Sequence, residues 1–371
     1  MKTCIFLSAL FLLTFSSNEY SAQTKLQPGF IPEEYAQMLE VTSRQRDTTT
    51  VYSDGLPYPE KCRLVYRSPE TGLNNRWDLW LRDDSVGIIS IRGTVPQANS
   101  WSENFFAAMV PAKGSMIIDS NYVFIYKLAE KNTAGVHAGW LTGLAHLVPS
   151  IITQINEHYA FGIKDYIIIG HSQGGALSYL LYSYLHYLKA PRIPDDIKFK
   201  VYSSAPPKPG NMFYAYDFDY ISRGGWGLRV FNSEDWVPQM PVSVQTLNDF
   251  SKNNPYVERD SLMSKMTFFQ KLIFEYLLGN MNRDLNEASN LLQSYLGKGV
   301  YDEMIKKYLP GFPEPDYLND AYYYPCGIPI VLMPQAGYDE VLKSETEIPL
   351  MFKNHMPVAY YYLLEKIYLG K

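Results

Sequence analysis

Only three cysteines and six histidines occur in 371 residues, with no cysteine cluster and no histidine pair at metal-ligand spacing. A Cys/His metal centre is therefore not expected. No glycine-rich loop of phosphate-cradling type is present either, so the sequence implies no metal and no organic cofactor. Positive charge is also scarce. With 33 basic against 38 acidic residues, a net charge of −5 and no lysine or arginine run, the chain lacks the electrostatic footprint of a nucleic-acid binder. Beyond the amino terminus no apolar run is long enough to span a bilayer, so no transmembrane segment is expected after that region. What is abundant is apolar and aromatic matter, 46% and 15% of residues. That suits a soluble globular chain, either two domains or one large α/β domain with an insertion.

Residues 1 to 22 place Lys2 before an apolar run from Cys4 to Phe15, followed by small and polar residues ending at Ala22. This is a signal-peptide pattern, too short to cross a membrane, and it predicts an exported protein, secreted or periplasmic. The mature chain, residues 23 to 371, then keeps Cys62 and Cys326. In an oxidising compartment they leave two possibilities, one disulfide or two separately buried thiols.

Residues 23 to 60 carry scattered prolines and no sustained period, and read as a mostly irregular lead-in. Arg63 to Arg67 and Trp77 to Leu81 flank a turn-rich segment and predict a hairpin, with a buried strand at Val86 to Ile91. From Val136 to His158 apolar residues recur at helical spacing, with Pro149 expected to kink or restart the helix. Tyr166 to Ile169, Phe199 to Ser203, Leu228 to Phe231 and Gly327 to Met333 read as strands, while Gly174 to Leu188 and Pro357 to Leu369 read as helices. Strands alternating with helices predict an α/β fold, a mostly parallel sheet covered on both faces. Between residues 255 and 312 the period becomes helical throughout (Leu262, Met266, Phe269, Ile273, Tyr276), with further stretches at Leu285 to Leu296 and Val300 to Leu309. This is a helical insertion.

The sharpest local signal is Gly170-His171-Ser172-Gln173-Gly174-Gly175, placed after a predicted strand and before a predicted helix. Such a context makes a nucleophile elbow, a tight turn that lifts the Ser172 hydroxyl above the sheet and needs glycine at 170 and 174 because a Cβ there would collide with neighbouring elements. A serine hydroxyl needs a general base, and the base needs a carboxylate to set its tautomer. His171 should point away from Ser172, and His137, His146, His158 and His186 lie on or near flanking helices. His355 remains, on a loop before the last helix and last in the order Ser, acid, His. Asp235 follows the Leu228 to Phe231 strand and is the expected acid, with Glu234 as its nearest rival and Asp217 and Asp219 as more distant ones. The oxyanion of a tetrahedral intermediate needs donors. These are expected from the backbone N–H of Gln173 and from Thr94, through N–H and O–H, at the end of Ile89-Ser90-Ile91-Arg92-Gly93-Thr94.

Taken together, these blocks resemble the class 3 lipases, an α/β-hydrolase family of fungal triacylglycerol lipases and their plant and bacterial relatives. Val136-His137-Ala138-Gly139-Trp140, Ala205 to Asn211 and Asn232 to Pro241 add to the resemblance, which covers about residues 60 to 242 and 325 to 365. It implies an α/β-hydrolase fold with a helical insertion before the catalytic histidine. It also implies Ser172 as nucleophile, His355 as general base and acid, Asp235 as its orienting acid, Thr94 and Gln173 as oxyanion donors, and a structural His137. Trp101 stands near where the family carries the tryptophan of its lid helix, so Trp101, Phe105 and Phe106 are lid candidates. A surface helix with one face in the core is the alternative there. Trp236 departs from a common family proline, and Asn354 from a usual acid, without removing a catalytic group. The insertion is expected beside the active-site mouth. A packing subdomain with Met and Phe inward is the first expectation for it, with a second lid, an acyl-binding wall or a lipid-contacting surface as functional alternatives. The reading is a serine ester hydrolase acting on lipid esters, in transient contact with a lipid interface. A short-chain esterase or phospholipase could use the same triad. A non-catalytic lipid-binding protein on the same scaffold is the alternative of another class.

Overall fold

The computed structural model describes residues 25–45, 55–188, 191–251, 254, 263–264, 266–344 and 348–370. The proposed signal segment and residues 255–262 of the insertion lie outside these. At its centre is a seven-stranded sheet whose spatial order follows the chain: β1 Cys62–Arg67, β2 Trp77–Arg82, β3 Gly87–Ile91, β4 Asp165–His171, β5 Lys198–Ser204, β6 Gly227–Asn232 and β7 Ile328–Leu332. The predicted hairpin pairs β1 with β2 antiparallel, and β2 meets β3 in the same sense. From β3 to β7 every neighbour is parallel. Every residue of β3 and β4 is buried, as continuous apolar strands require when helices cover both faces.

Strand alternation sorts the core into two halves. Ile89, Ile91 and Ile168 face one side, where α3 (Ala138–Tyr159) and α4 (Gln173–Tyr187) bring Leu141, Leu144 and Leu180. Ile88, Ile167 and Ile169 face the other, against Tyr35, Met38 and Leu39 of α1 (Pro32–Ser43) and Tyr360 and Leu363 near the carboxyl end. The stretch expected to be an irregular lead-in therefore contains a helix. Its sequence places Pro32 at the first turn and Glu33 and Glu34 beside it, which suits a helix start. Its period was hidden by polar side chains that the fold buries, Glu34 and Thr42 among them.

Pro149 does not restart α3, which runs through it. A proline here cannot donate to the Ala145 carbonyl, and the Tyr122 hydroxyl donates to that oxygen instead at 3.0 Å. Cys62 and Cys326 are free thiols buried in different halves of the core. Of the two possibilities, the separate pair of small apolar side chains is the one realised.

Two small pieces were not visible in the apolar pattern: a four-stranded ladder that includes Met109–Pro111 and Gly135–His137, and a Lys113–Lys127 hairpin. The ladder strands, two or three residues long, are too short to carry a period, and the hairpin strands hide their alternation because apolar Ile117, Val123 and Ile125 stand on the exposed face. In the insertion, Phe268–Gln293 forms one long helix opened by a Thr267/Gln270 capping box. The chain stays helical through π turns to Tyr308, so the separate stretches expected at Leu285 and Val300 are one path. The expectation of inward Met and Phe fails over its first turns. Phe268, Phe269 and Tyr276 are 72%, 76% and 70% exposed, and Leu272, Ile273 and Leu277 are exposed beside them.

Candidate active site

Three tight features hold the turn between β4 and α4. Ser172 has φ 62° and ψ −128°, a backbone region that costs a non-glycine residue about 1–3 kcal/mol. The Ser172 N–H donates to the Ser204 carbonyl at 3.0 Å, while its own carbonyl accepts from Gly175 N–H at 2.8 Å. A Cβ on Gly170 would stand 2.0 Å from the Gly174 carbonyl oxygen, and one on Gly174 would stand 2.3 Å from that of Ile91. Both glycines are thus required by close backbone approach, for the reason expected from the motif.

Asp235 lies buried in the loop after β6, and His355 in the turn between α5 (Leu350–Lys353) and α6 (Pro357–Leu364). The His355 Nδ1 meets Asp235 Oδ2 at 2.7 Å. The same carboxylate accepts from the Tyr360 hydroxyl at 2.7 Å and from the Val237 N–H at 3.0 Å. Of the acids considered, only Asp235 reaches the histidine. Glu234 is exposed, Asp217 accepts from Tyr187, and Asp219 accepts from the Gly327 N–H. Tyr360 is a partner the sequence did not announce, since one tyrosine among 31 carries no local signal. With Nδ1–H donated to the carboxylate, Nε2 of His355 is left as the lone-pair nitrogen a general base needs.

Ser172 and His355 line one cavity of about 640 Å³ together with Thr94, Gln173, Trp101 and Phe105. The two side chains face it without a hydrogen bond between them, an arrangement that commonly tightens when substrate binds. The Thr94 hydroxyl is committed, donating to Gln173 Oε1 at 2.9 Å and accepting from Asn104 Nδ2 at 2.9 Å. Only the N–H of Thr94, not the O–H also expected, is left to serve an oxyanion. Gln173 Nε2 reaches Asn75 Oδ1 at 3.5 Å, and Asn75 Nδ2 donates to Glu103 at 2.6 Å. Glu103 is wholly buried, and desolvation pushes its carboxyl up to about 8. His137, also wholly buried, accepts from the Trp140 N–H and donates to the Asn104 carbonyl. Burial drives its pKa down to about 3, so the ring is neutral.

The lid candidates divide. Trp101 and Phe105 stack at 6.1 Å, and Trp101 lies 6.1 Å from Phe352, whose ring is 5.9 Å from Trp236. These four rings border the cavity. Phe106 does not join them, because it is fully buried against Tyr301 and Tyr317. The helix that carries Trp101, α2 (Ala98–Phe105), buries Ser100, Ser102 and Glu103 on its other side. The long insertion helix reaches the same cavity at its far end, through Leu292, with Leu296 just beyond it.

Residues 88–245 match the family model described as lipase (class 3), a span that holds β3, the elbow, the Thr94 turn and Asp235. The resemblance to class 3 lipases is borne out over that span, and His355 lies beyond it. Among solved structures, lipase II from Rhizopus niveus is 19% identical, with a TM-score of 0.42 over 57% of this chain and 74% of that one. The Lip2 lipase from Yarrowia lipolytica is 17% identical, with a TM-score of 0.41 over 58% and 78%. A propeptide complex of Rhizomucor miehei lipase is 17% identical, with a TM-score of 0.40 over 58% and 65%. No curated protein matches the chain. The matched family segment, which holds the elbow and the Asp235 loop on the α/β sheet, supports a lipase-type carboxylic ester hydrolase.

Proposed function

We propose that the protein is an exported hydrolase of lipid esters, acylglycerols above all, that works through an acyl-enzyme on Ser172. One observation carries the reading: the Asp235–His355 pair at 2.7 Å opens on the same apolar, aromatic-bordered cavity as Ser172. In the proposed reaction His355 Nε2 takes the Ser172 proton as Oγ attacks the ester carbonyl, and Asp235 steadies the imidazolium. The N–H groups of Gln173 and Thr94 bind the oxyanion. His355 then protonates the departing alcohol, and water releases the acid from Ser172 by the reverse sequence. Every step uses a group of this chain or the substrate, and no metal or organic cofactor enters.

Contact with a neutral lipid surface is part of the reading. Exposed Met240, Val242, Leu350 and Met351 lie at or beside the cavity mouth, and the first turns of the insertion helix expose a further set of apolar side chains. The net charge of −5 does not favour an anionic membrane. Export rests on residues 1 to 22 alone, and removal of that segment would be seen in the mass of the mature protein.

The test is turnover of p-nitrophenyl esters from acetate to palmitate, with an emulsified triglyceride alongside, by wild type and Ser172→Ala. Long-chain and emulsion turnover that disappears in Ser172→Ala is the expected result. Short-chain turnover alone would make the protein an esterase, and folded protein without Ser172-dependent turnover would leave the lipid-binding reading. His355→Ala should match Ser172→Ala. A crippling Glu234→Ala beside a mild Asp235→Ala would overturn the choice of acid.

A further inference from the structure

The other elbow histidine, His171, is tied to the loop of His355. His171 Nε2 lies 2.6 Å from the His355 backbone carbonyl, and Nδ1 lies 2.9 Å from Ser204 Oγ. Ser204 Oγ lies in turn 2.7 Å from the Tyr35 hydroxyl. A carbonyl can only accept, so Nε2 carries the hydrogen and donates it. With the ring neutral, Nδ1 accepts, Ser204 donates to it and Tyr35 donates to Ser204. Tyr35 and Ser204 are fully buried, His171 and His355 nearly so, which makes each unmade bond expensive.

Ser204 also accepts the Ser172 N–H through its carbonyl. One residue at the end of β5 therefore braces the proposed nucleophile through its backbone and the loop of the proposed base through its side chain and His171. Tyr35 comes from α1, outside the segment that matches the lipase family.

We propose that Tyr35, Ser204 and His171 are positioning residues that set the His355 loop relative to Ser172, so that an element outside the hydrolase segment governs the efficiency of the site. The inference rests on the proposed Ser172–His355–Asp235 machinery. None of the three touches the reacting atoms, so their loss should lower kcat and leave KM unchanged. Replacing His171 by leucine removes the donor to the His355 carbonyl, and about a tenfold fall in kcat is expected. His171→Gln keeps an N–H donor and should recover most of that loss. Tyr35→Phe removes a single oxygen, and a fall of a few-fold is expected. In the His171→Leu background it should have little further effect, because the chain it feeds is already cut.

The experiment measures kcat and KM on a soluble short-chain ester for these variants, for the double variant, and for Ser172→Ala and His355→Ala. A fall in kcat alone, recovery by His171→Gln and non-additivity of the double variant support the assignment. Wild-type kcat in Tyr35→Phe and His171→Leu, with Ser172→Ala and His355→Ala inactive, overturns it and leaves the triad standing. Wild-type turnover by Ser172→Ala and His355→Ala would remove the triad and this inference together. If His171→Leu does not fold, Tyr35→Phe decides alone, and full additivity of kcat effects in folded protein also counts against the assignment.

Discussion

Glu103 puts a titratable group where water cannot reach it. Its carboxyl is pushed up to about 8 from the ordinary 4.5, with desolvation the largest cause, against the lowering effects of Asn75 and Gln173. A carboxyl raised in the folded state gives stability that is fully present below pH 4.5 and lost as pH rises through about 8. Across that window the folded chain holds a proton the unfolded chain releases, and stability falls by about 1.4 kcal/mol per pH unit. Glu103→Gln keeps the shape and a hydrogen-bonding end but does not titrate. The variant should gain on wild type steadily from pH 5 to pH 8 in urea unfolding, and parallel curves would show that Glu103 is already ionised in the fold. His137 has the opposite sign, since a histidine held neutral by burial loses its stabilising effect as pH falls from 6.5 through about 3.

At the scale of elements, the insertion helix breaks the usual rule that an apolar helix face is covered. Phe268 to Leu278 is apolar at most positions, and Phe268, Phe269 and Tyr276 stand in solvent. Replacing Leu272 and Ile273, half or more exposed, by aspartate should shift folding stability by no more than about 0.5 kcal/mol. Turnover of a soluble ester should be unchanged, while sedimentation with a triglyceride emulsion should fall. Unchanged emulsion binding would assign this helix a role other than lipid contact. The Ala98–Phe105 helix differs in kind, with Trp101 and Phe105 at the cavity and Glu103 anchored beneath them. A movement of that helix as a lid would have to carry the Asn75–Glu103 bond with it or break it.

The molecule as a whole is closed on one side by its first helix. Glu34 of α1 accepts from Lys200 at 2.6 Å, from Arg82 at 3.0 Å and from the Tyr202 hydroxyl at 2.8 Å, so three side chains from two strands of the sheet, β5 and β2, converge on one carboxylate. Lys200 is fully buried, and burial lowers its pKa against the opposing pull of Glu34. Removing one partner of such a pair strands the other. Glu34→Ala is expected to cost about 3 kcal/mol, measured by urea unfolding. A cost below about 1 kcal/mol would mean that water replaces the carboxylate and that α1 is held by its apolar side chains alone.

The sheet, the elbow and the order Ser172, Asp235, His355 could be read from the sequence because each is written locally. A strand, a glycine turn and a helix follow one another within a few residues, and the acid follows its own strand. Those signals survive without knowledge of what packs against what. The sequence alone also placed Thr94 and Gln173 at the turns that could face an oxyanion. Only the tertiary structure chose the separate burial of Cys62 and Cys326, gave the Ala145 carbonyl to Tyr122 so that α3 passes through Pro149, and spent the Thr94 hydroxyl on Gln173. Only it brought Tyr360 to Asp235 and Tyr35 to Ser204. These contacts join residues far apart in the chain, and a lone tyrosine or serine leaves no period or spacing by which its partner could be found.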